Sequence, residues 1–198
     1  MRVILIGGSS HTGKSTTAQA LASKLGCSTR TTDHIARHPG RPWKTKLRDI
    51  PPHVDEHYST LPTAELFIDV LKHYYRLWPE IKSIITAHAT DSATDPLVLE
   101  GSALWPENVV TLDLENVKAI WLTASDELFQ KRMYAESHYA GASPHEKMLI
   151  DKFLDRTILY NQKMMAAVRD LGLKSLEVME SDTPDELANR VLELLEAN

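Results

Sequence analysis

The chain has 198 residues, with 22 Lys+Arg against 27 Asp+Glu for a formal net charge of −5. The two signs are interspersed, which argues against a general nucleic-acid or anionic-membrane binder while allowing a local basic pocket. The length suits one α/β domain with a full core, here residues 1–198, and is short for two. Cys27 is the single cysteine, which excludes an intramolecular disulfide and a multi-cysteine zinc site and makes a reducing cytoplasm the expected compartment.

Arg2 to Ile6 is a short, β-branched apolar run of the kind that forms a buried parallel strand. It is too short for a signal-peptide core, and no stretch of the chain approaches a membrane span. Gly8-Ser9-Ser10-His11-Thr12-Gly13-Lys14-Ser15 follows and fits G-x-x-x-x-G-K-[ST] at every fixed position. Ala18, Leu21, Ala22 and Leu25 then recur at helical spacing. A strand that delivers a glycine turn onto a helix start lets successive backbone N–H groups converge on phosphate oxygens at the positive end of the helix dipole. In that geometry Lys14 reaches the β- and γ-phosphates and the Ser15 hydroxyl meets Mg²⁺. His11 is unusual in such a loop. It either approaches the γ-phosphate or points to solvent, and solvent is the favoured reading.

Gly26 ends the first helix, and Cys27 to Thr32 reads as a short threonine-rich strand that stops at Asp33. If this strand neighbours the first, Asp33 stands beside the phosphate loop at the carboxyl edge of the sheet. Asp33 is also suited to cap a helical turn through Ala36, a compatible role. From His34 to Leu61 the chain is polar, rich in His, Arg and Pro, and reads as an extended functional loop. Its His53-Val54-Asp55-Glu56-His57 matches the H-x-x-E-H metal pattern, which is discounted because that chemistry needs a firm helix and a further ligand. Four side chains there, His34, Arg37, His38 and Arg41, can be cationic, and arginine forks suit carboxylates and phosphates.

A helix opens at Pro62-Thr63 and is expected to end at Pro79, with a second helix from Ile81 to His88. Tyr74, Tyr75 and Trp78 on it read as core and subunit-type surface. Pro96 to Gly101 is an apolar strand ending in Glu100, a carboxylate placed to hold Mg²⁺ through water or to orient an acceptor hydroxyl. Val117 to Leu122 gives another buried strand. Ser125 caps a helix from Asp126 to about His138 that carries Lys131 and Arg132. After a break at Tyr139 to Ala142, Ser143-Pro144-His145-Glu146 is a capping box that opens a helix bearing Arg156 and stopping at Gly172. The two helices read as a lid hairpin. Ser175 to Met179 supplies a final strand, and Thr183-Pro184-Asp185-Glu186 caps the last helix. Five strands alternating with helices imply an α/β fold, a three-layer parallel sheet covered on both faces.

These residues resemble the phosphate-loop kinases of small molecules, the broad group that contains nucleoside-monophosphate, shikimate and gluconate kinases, over nearly the whole chain. Within it, Gly7-Gly8-Ser9-Ser10 with Thr12-Gly13-Lys14-Ser15, and Leu99-Glu100-Gly101-Ser102, look most like 2-phosphoglycerate-kinase-like proteins. The resemblance implies a phosphate-loop kinase fold with a helical lid over about 132–156, ATP and Mg²⁺ as cofactors, and transfer of the γ-phosphoryl group to a small acceptor. It places Gly8 to Ser15 and Thr16 on the ATP phosphates, Ser15 and Glu100 on the metal, Lys14, Arg132 and Arg156 on the transferred charge, and Asp33 on the acceptor hydroxyl. The loop at Ser181-Asp182-Thr183-Pro184 is similar to one that lies near adenine. Asp33, His34, Arg37, Arg41 and Glu100 are the expected acceptor contacts. They point to an acidic hydroxylated metabolite, ahead of a neutral nucleoside, in a monomer or homodimer. A nucleotide-regulated binding module is the competing class. A GTPase switch is disfavoured, since N-K-x-D and D-x-x-G are both missing.

Overall fold

A computed structural model describes residues 1–35, 40–45 and 48–197. Strands β1 (Val3–Gly8), β2 (Ser28–Thr31), β3 (Leu97–Glu100), β4 (Val117–Thr123) and β5 (Ser175–Glu177) form one sheet in the order β2-β3-β1-β4-β5, every neighbouring pair parallel. The α/β class and the five-stranded parallel sheet are therefore as the sequence predicts. The condition that β2 neighbours β1 is not met, because β3 lies between them. Composition explains the order. Every residue of β3 is buried, whereas Ser28, Thr29 and Arg30 of β2 are exposed, so the apolar strand takes the interior slot and the polar one the edge.

The pleat sorts side chains to two faces. Val3 and Leu5 of β1, with Leu97 and Leu99 of β3, pack under α3 (Thr63–Thr90), the short α4 (Pro106–Val109) and the second half of α6 (Pro144–Asp170). Ile4 and Ile6, with Val98 and Ile120, pack under α1 (Lys14–Leu25) and α7 (Pro184–Glu196). A third cluster lies off the sheet, where α2 (Pro52–Thr60), α5 (Asp126–Glu136) and the first half of α6 enclose Trp43, Tyr58, Phe129 and Phe153. At the start of the loop, Gly7 is paired in register with Trp121. The buried indole donates to Leu104 O at 2.9 Å and covers Gly7 so closely that a Cβ there would lie 2.3 Å from Nε1.

Two expectations about helices are corrected. The stretch 34–61 is not loop throughout: Pro52–Thr60 is a helix whose Val54 and Tyr58 are fully buried, so H-x-x-E-H lies on a helix after all. Among the described residues, however, no group of three or more His, Cys, Asp or Glu side chains is placed to hold a metal ion. Pro79 does not divide the helix it sits in. α3 runs unbroken through it, because Pro79 and Tyr75 are exposed and water can satisfy the Tyr75 carbonyl that loses its N–H partner. No helix among the described residues is long and apolar enough to cross a membrane.

Candidate active site

The carboxyl ends of β1, β3 and β2 gather the predicted residues at one edge of the sheet. β1 leaves the sheet through Gly8 at φ 146, where a Cβ would come within 2.6 Å of Leu122 O and 3.0 Å of Thr12 Oγ1. Gly13, at φ 83, turns the chain into α1. The loop is braced from within. Ser9 O accepts from Thr12 Oγ1 at 3.0 Å and from Lys14 Nζ at 2.6 Å, while Ser9 Oγ donates to Thr157 O of α6 at 3.1 Å. Thr16 and Thr17 return their hydroxyls to Gly13 O at 2.9 Å each. The Ser9, Thr12 and Thr16 side chains thus shape the loop.

Lys14 is 8% exposed and holds a single hydrogen bond among the described residues. Burial lowers its pKa, an effect opposed by the carboxylates of Glu100 and Asp33. Ser15 Oγ donates to Glu100 Oε1 at 2.9 Å, bringing the two predicted metal residues together. Asp33 follows in a single 3-10 turn, Thr32–His34. The capping role considered for Asp33 belongs to Thr31, whose hydroxyl accepts from Asp33 N at 3.3 Å and leaves the carboxylate exposed. Gly101 sets the spacing between the two acids: at φ 155 it lies so near Thr32 that a Cβ would overlap Thr32 Oγ1 at 1.8 Å.

Beside this edge opens a cleft of about 710 Å³ lined by Ser9, Ser10, Asp33, Arg41, Arg48, Ser102 and Arg156 among others. Arg156 is buried. Its guanidinium donates to Tyr58 OH at 2.8 Å and lies 4.4 Å from the Phe153 ring centroid, and Tyr58 in turn donates to Gly40 O at 3.2 Å. Arg132 donates to His11 O at 2.8 Å, so it grips the phosphate loop rather than the cleft. Arg41 pairs with Glu136 of α5.

Other predicted residues are placed differently. His34 lines a second cleft of about 670 Å³ with Arg30 and Glu80, and Glu100 faces that side too, so neither borders the arginine-lined cleft as expected of acceptor contacts. Arg37 and His38 lie outside the described residues. Asp182 accepts from Met179 N at 2.7 Å and pairs with Arg190 at 2.9 Å, while Thr183 caps α7; both side chains stabilise their own turn, with Pro184 opening the helix. His11 is not turned to solvent. Its side chain is 4% exposed and packs against Trp43 and Phe153. Tyr58, Phe153, Thr157 and Arg48 were missed by sequence reasoning. Of these only Tyr58 had a signal, its i, i+4 spacing from Val54.

The residues present fit a magnesium nucleotide. Among the described α-helices α1 alone has no acidic residue in its first turn, and it has no side-chain cap, so its N–H groups face the loop uncompensated. The buried Lys14 ammonium uses one of its three N–H donors among the described residues, and a serine hydroxyl with a carboxylate is a hard oxygen pair suited to Mg²⁺.

No protein-family model matches the chain, and no curated protein matches it in sequence. Solved structures do match in fold. A shikimate kinase from Aquifex aeolicus superposes with a TM-score of 0.56 at 16% identity, over 99% of this chain and 97% of that one. The chain has the phosphate-loop kinase fold. A deoxyadenosine kinase from M. mycoides gives 0.56 at 15% identity, over 99% and 100%, and a gluconokinase from Sinorhizobium meliloti 1021 gives 0.53 at 18% identity, over 98% and 90%. None of the three is a 2-phosphoglycerate kinase, so that narrower resemblance rests on this chain's loop residues alone.

Proposed function

We propose that the protein is a phosphotransferase that moves the γ-phosphoryl group of ATP to a hydroxyl of a small anionic metabolite in the cytoplasm. The observation that carries this reading is the meeting of Lys14, the Ser15–Glu100 pair and Asp33 at one edge of the sheet, with Asp33 lining both the cleft that holds Ser15 and Glu100 and the cleft that presents Arg41, Arg48 and Arg156. The phosphate loop backbone and Lys14 would hold the nucleotide phosphates, with Ser15 and Glu100 on the metal. Bound there, magnesium nucleotide supplies the transferable phosphoryl group and its charge neutralisation.

The chain's own groups do the positioning. Asp33, exposed at the end of β2, accepts the proton of the acceptor hydroxyl. Arg156, its guanidinium fixed by Tyr58 and Phe153, offers a preorganised fork to an anionic group of the acceptor. Arg132, already bonded to the loop at His11 O, brings α5 over the phosphates, and the segment 132–156 acts as the lid that excludes water. A phosphorylated hydroxy acid of the 2-phosphoglycerate type satisfies this cleft, since it brings two anionic groups and one free hydroxyl.

A screen of metabolites with ATP and Mg²⁺, scored by phosphorylated product, tests the reading. We expect an acidic hydroxylated acceptor to give the highest turnover. A neutral nucleoside as best acceptor overturns the anion pocket. Nucleotide binding without any transferred product, across the screen, favours a regulatory module.

A further inference from the structure

His11 stands in the phosphate loop with φ 65, a left-handed backbone that suits glycine and strains a residue with a side chain. The imidazole is nevertheless buried. Its ring lies 6.0 Å from Trp43 and 6.3 Å from Phe153, centroid to centroid, and those two rings meet edge-on at 5.2 Å. Nε2 is 3.0 Å from Glu136 Oε2, although without hydrogen-bond alignment. Burial, reinforced by Arg41, Lys14 and Arg132, pushes the His11 pKa down to about 3, so the ring is neutral and the contact with Glu136 is no ion pair. The other oxygen of Glu136 pairs with Arg41.

One carboxylate on α5 thus touches both the phosphate loop, through His11, and the mouth of the acceptor cleft, through Arg41. Trp43 ties the same ring to the segment that carries Arg41, whose guanidinium is 5.7 Å from the Trp43 centroid. A glycine at position 11 would remove the backbone strain and lose all of these contacts. The chain keeps the strained residue at the point where a phosphate would enter.

Resting on the kinase reading above, we propose that His11 is a positioning residue that couples occupancy of the phosphate loop to release of Arg41 from Glu136. Arg41 is paired with Glu136 in the structure and becomes free for an acceptor's anionic group once nucleotide is in place. The lever is short. Phosphate drawn to the loop N–H groups shifts the backbone of residue 11, and the packed ring passes that shift to Trp43 and Glu136, because interiors at close-packed density transmit displacement. The Arg41–Glu136 pair is half exposed on both sides, so it is weak enough to be exchanged for a bound anion.

The test is hydrogen exchange with the magnesium complex of a non-hydrolysable ATP analogue, AMPPNP, at saturating concentration for each variant. In the natural protein, exchange in the segment 40–45 should change by ~3-fold or more on binding, the shift expected when a contact of order one thermal unit or more is exchanged. In His11→Gly that response should vanish, with the segment remaining in its nucleotide-free pattern. Glu136→Gln, a half-exposed site where folding is safe, should show the nucleotide-bound pattern with no nucleotide added. His11→Asn, which tolerates a left-handed backbone, replaces His11→Gly if the glycine variant does not fold. A natural protein that binds AMPPNP with no change at 40–45, or a position-11 variant that keeps the full response, overturns the coupling and leaves the kinase reading standing. Failure of the natural protein to bind AMPPNP overturns that reading and the coupling together.

Discussion

Ser15 Oγ donates a 2.9 Å hydrogen bond to Glu100 Oε1, joining the first turn of α1 to the end of β3. Asp33, one strand further out, has no such tie to the loop. The two acids should therefore fail differently when neutralised. Glu100→Gln should raise the Mg²⁺ concentration needed for half-maximal transfer by ~10-fold or more, as loss of a metal-site partner does. Asp33→Asn should keep nucleotide affinity and lose ~10²–10⁴-fold in turnover, the range for a general base. Metal titrations of both variants at fixed ATP are the check, and matching curves would refute the division of labour.

Lys14 is buried with one hydrogen bond among the described residues, and burial lowers its pKa. Its charge therefore opposes folding. Lys14→Met should keep or raise the thermal midpoint while lowering transfer by ~10²-fold or more, since a fixed positive charge aimed at phosphate oxygens is lost. Turnover near that of the natural protein, in a folded Lys14→Met sample, is the result that would contradict the assignment.

Gly101→Ala forces a Cβ onto Thr32 Oγ1, where 1.8 Å separates the two sites. The ends of β2 and β3 must part to admit it. We expect a loss of about 1–3 kcal/mol in unfolding free energy and, because Asp33 moves with Thr32, a fall in turnover larger than the fall in nucleotide affinity. Chemical denaturation together with steady-state kinetics reads both.

The buried His11 gives the fold an acid-sensitive point. Its folded pKa is down to about 3 against 6.5 for the free side chain, so between those values the unfolded chain binds a proton that the folded chain does not. Stability from this group is complete above pH 6.5 and falls as pH drops toward 3, by about 1 kcal/mol per pH unit. Natural protein and His11→Gln should differ in the slope of unfolding free energy against pH between pH 6 and 4, with the glutamine variant the flatter. His57, also lowered by burial, titrates in both and cancels.

What the sequence made legible was local chemistry. The strand, glycine turn and helix from Val3 to Leu25, the Ser125 cap, and the capping boxes at Ser143 and Thr183 all depend on residues a few positions apart, and all are observed. The rest was hidden by distance along the chain. α2 shows only Val54 and Tyr58 on its apolar side, and its stability comes from α6 and Arg156. His11 is buried by Trp43, Glu136 and Phe153, three residues from three separate segments, so nothing in the loop motif announces it. The placement of β3 between β1 and β2 could have been argued from the polarity of Ser28 to Arg30, which marks an edge strand.

The indole of Trp121 over Gly7 has an evolutionary reading. Since even a methyl group at position 7 would sit 2.3 Å from Nε1, position 7 cannot gain a side chain alone: it requires a smaller residue at 121, and the Leu104 carbonyl then loses its donor. Among divergent homologues a side chain at 7 should therefore appear only where 121 is small. The dipeptide Gly7-Gly8 at the mouth of the loop is thus held by two unrelated constraints, a ring on one side and a turn on the other.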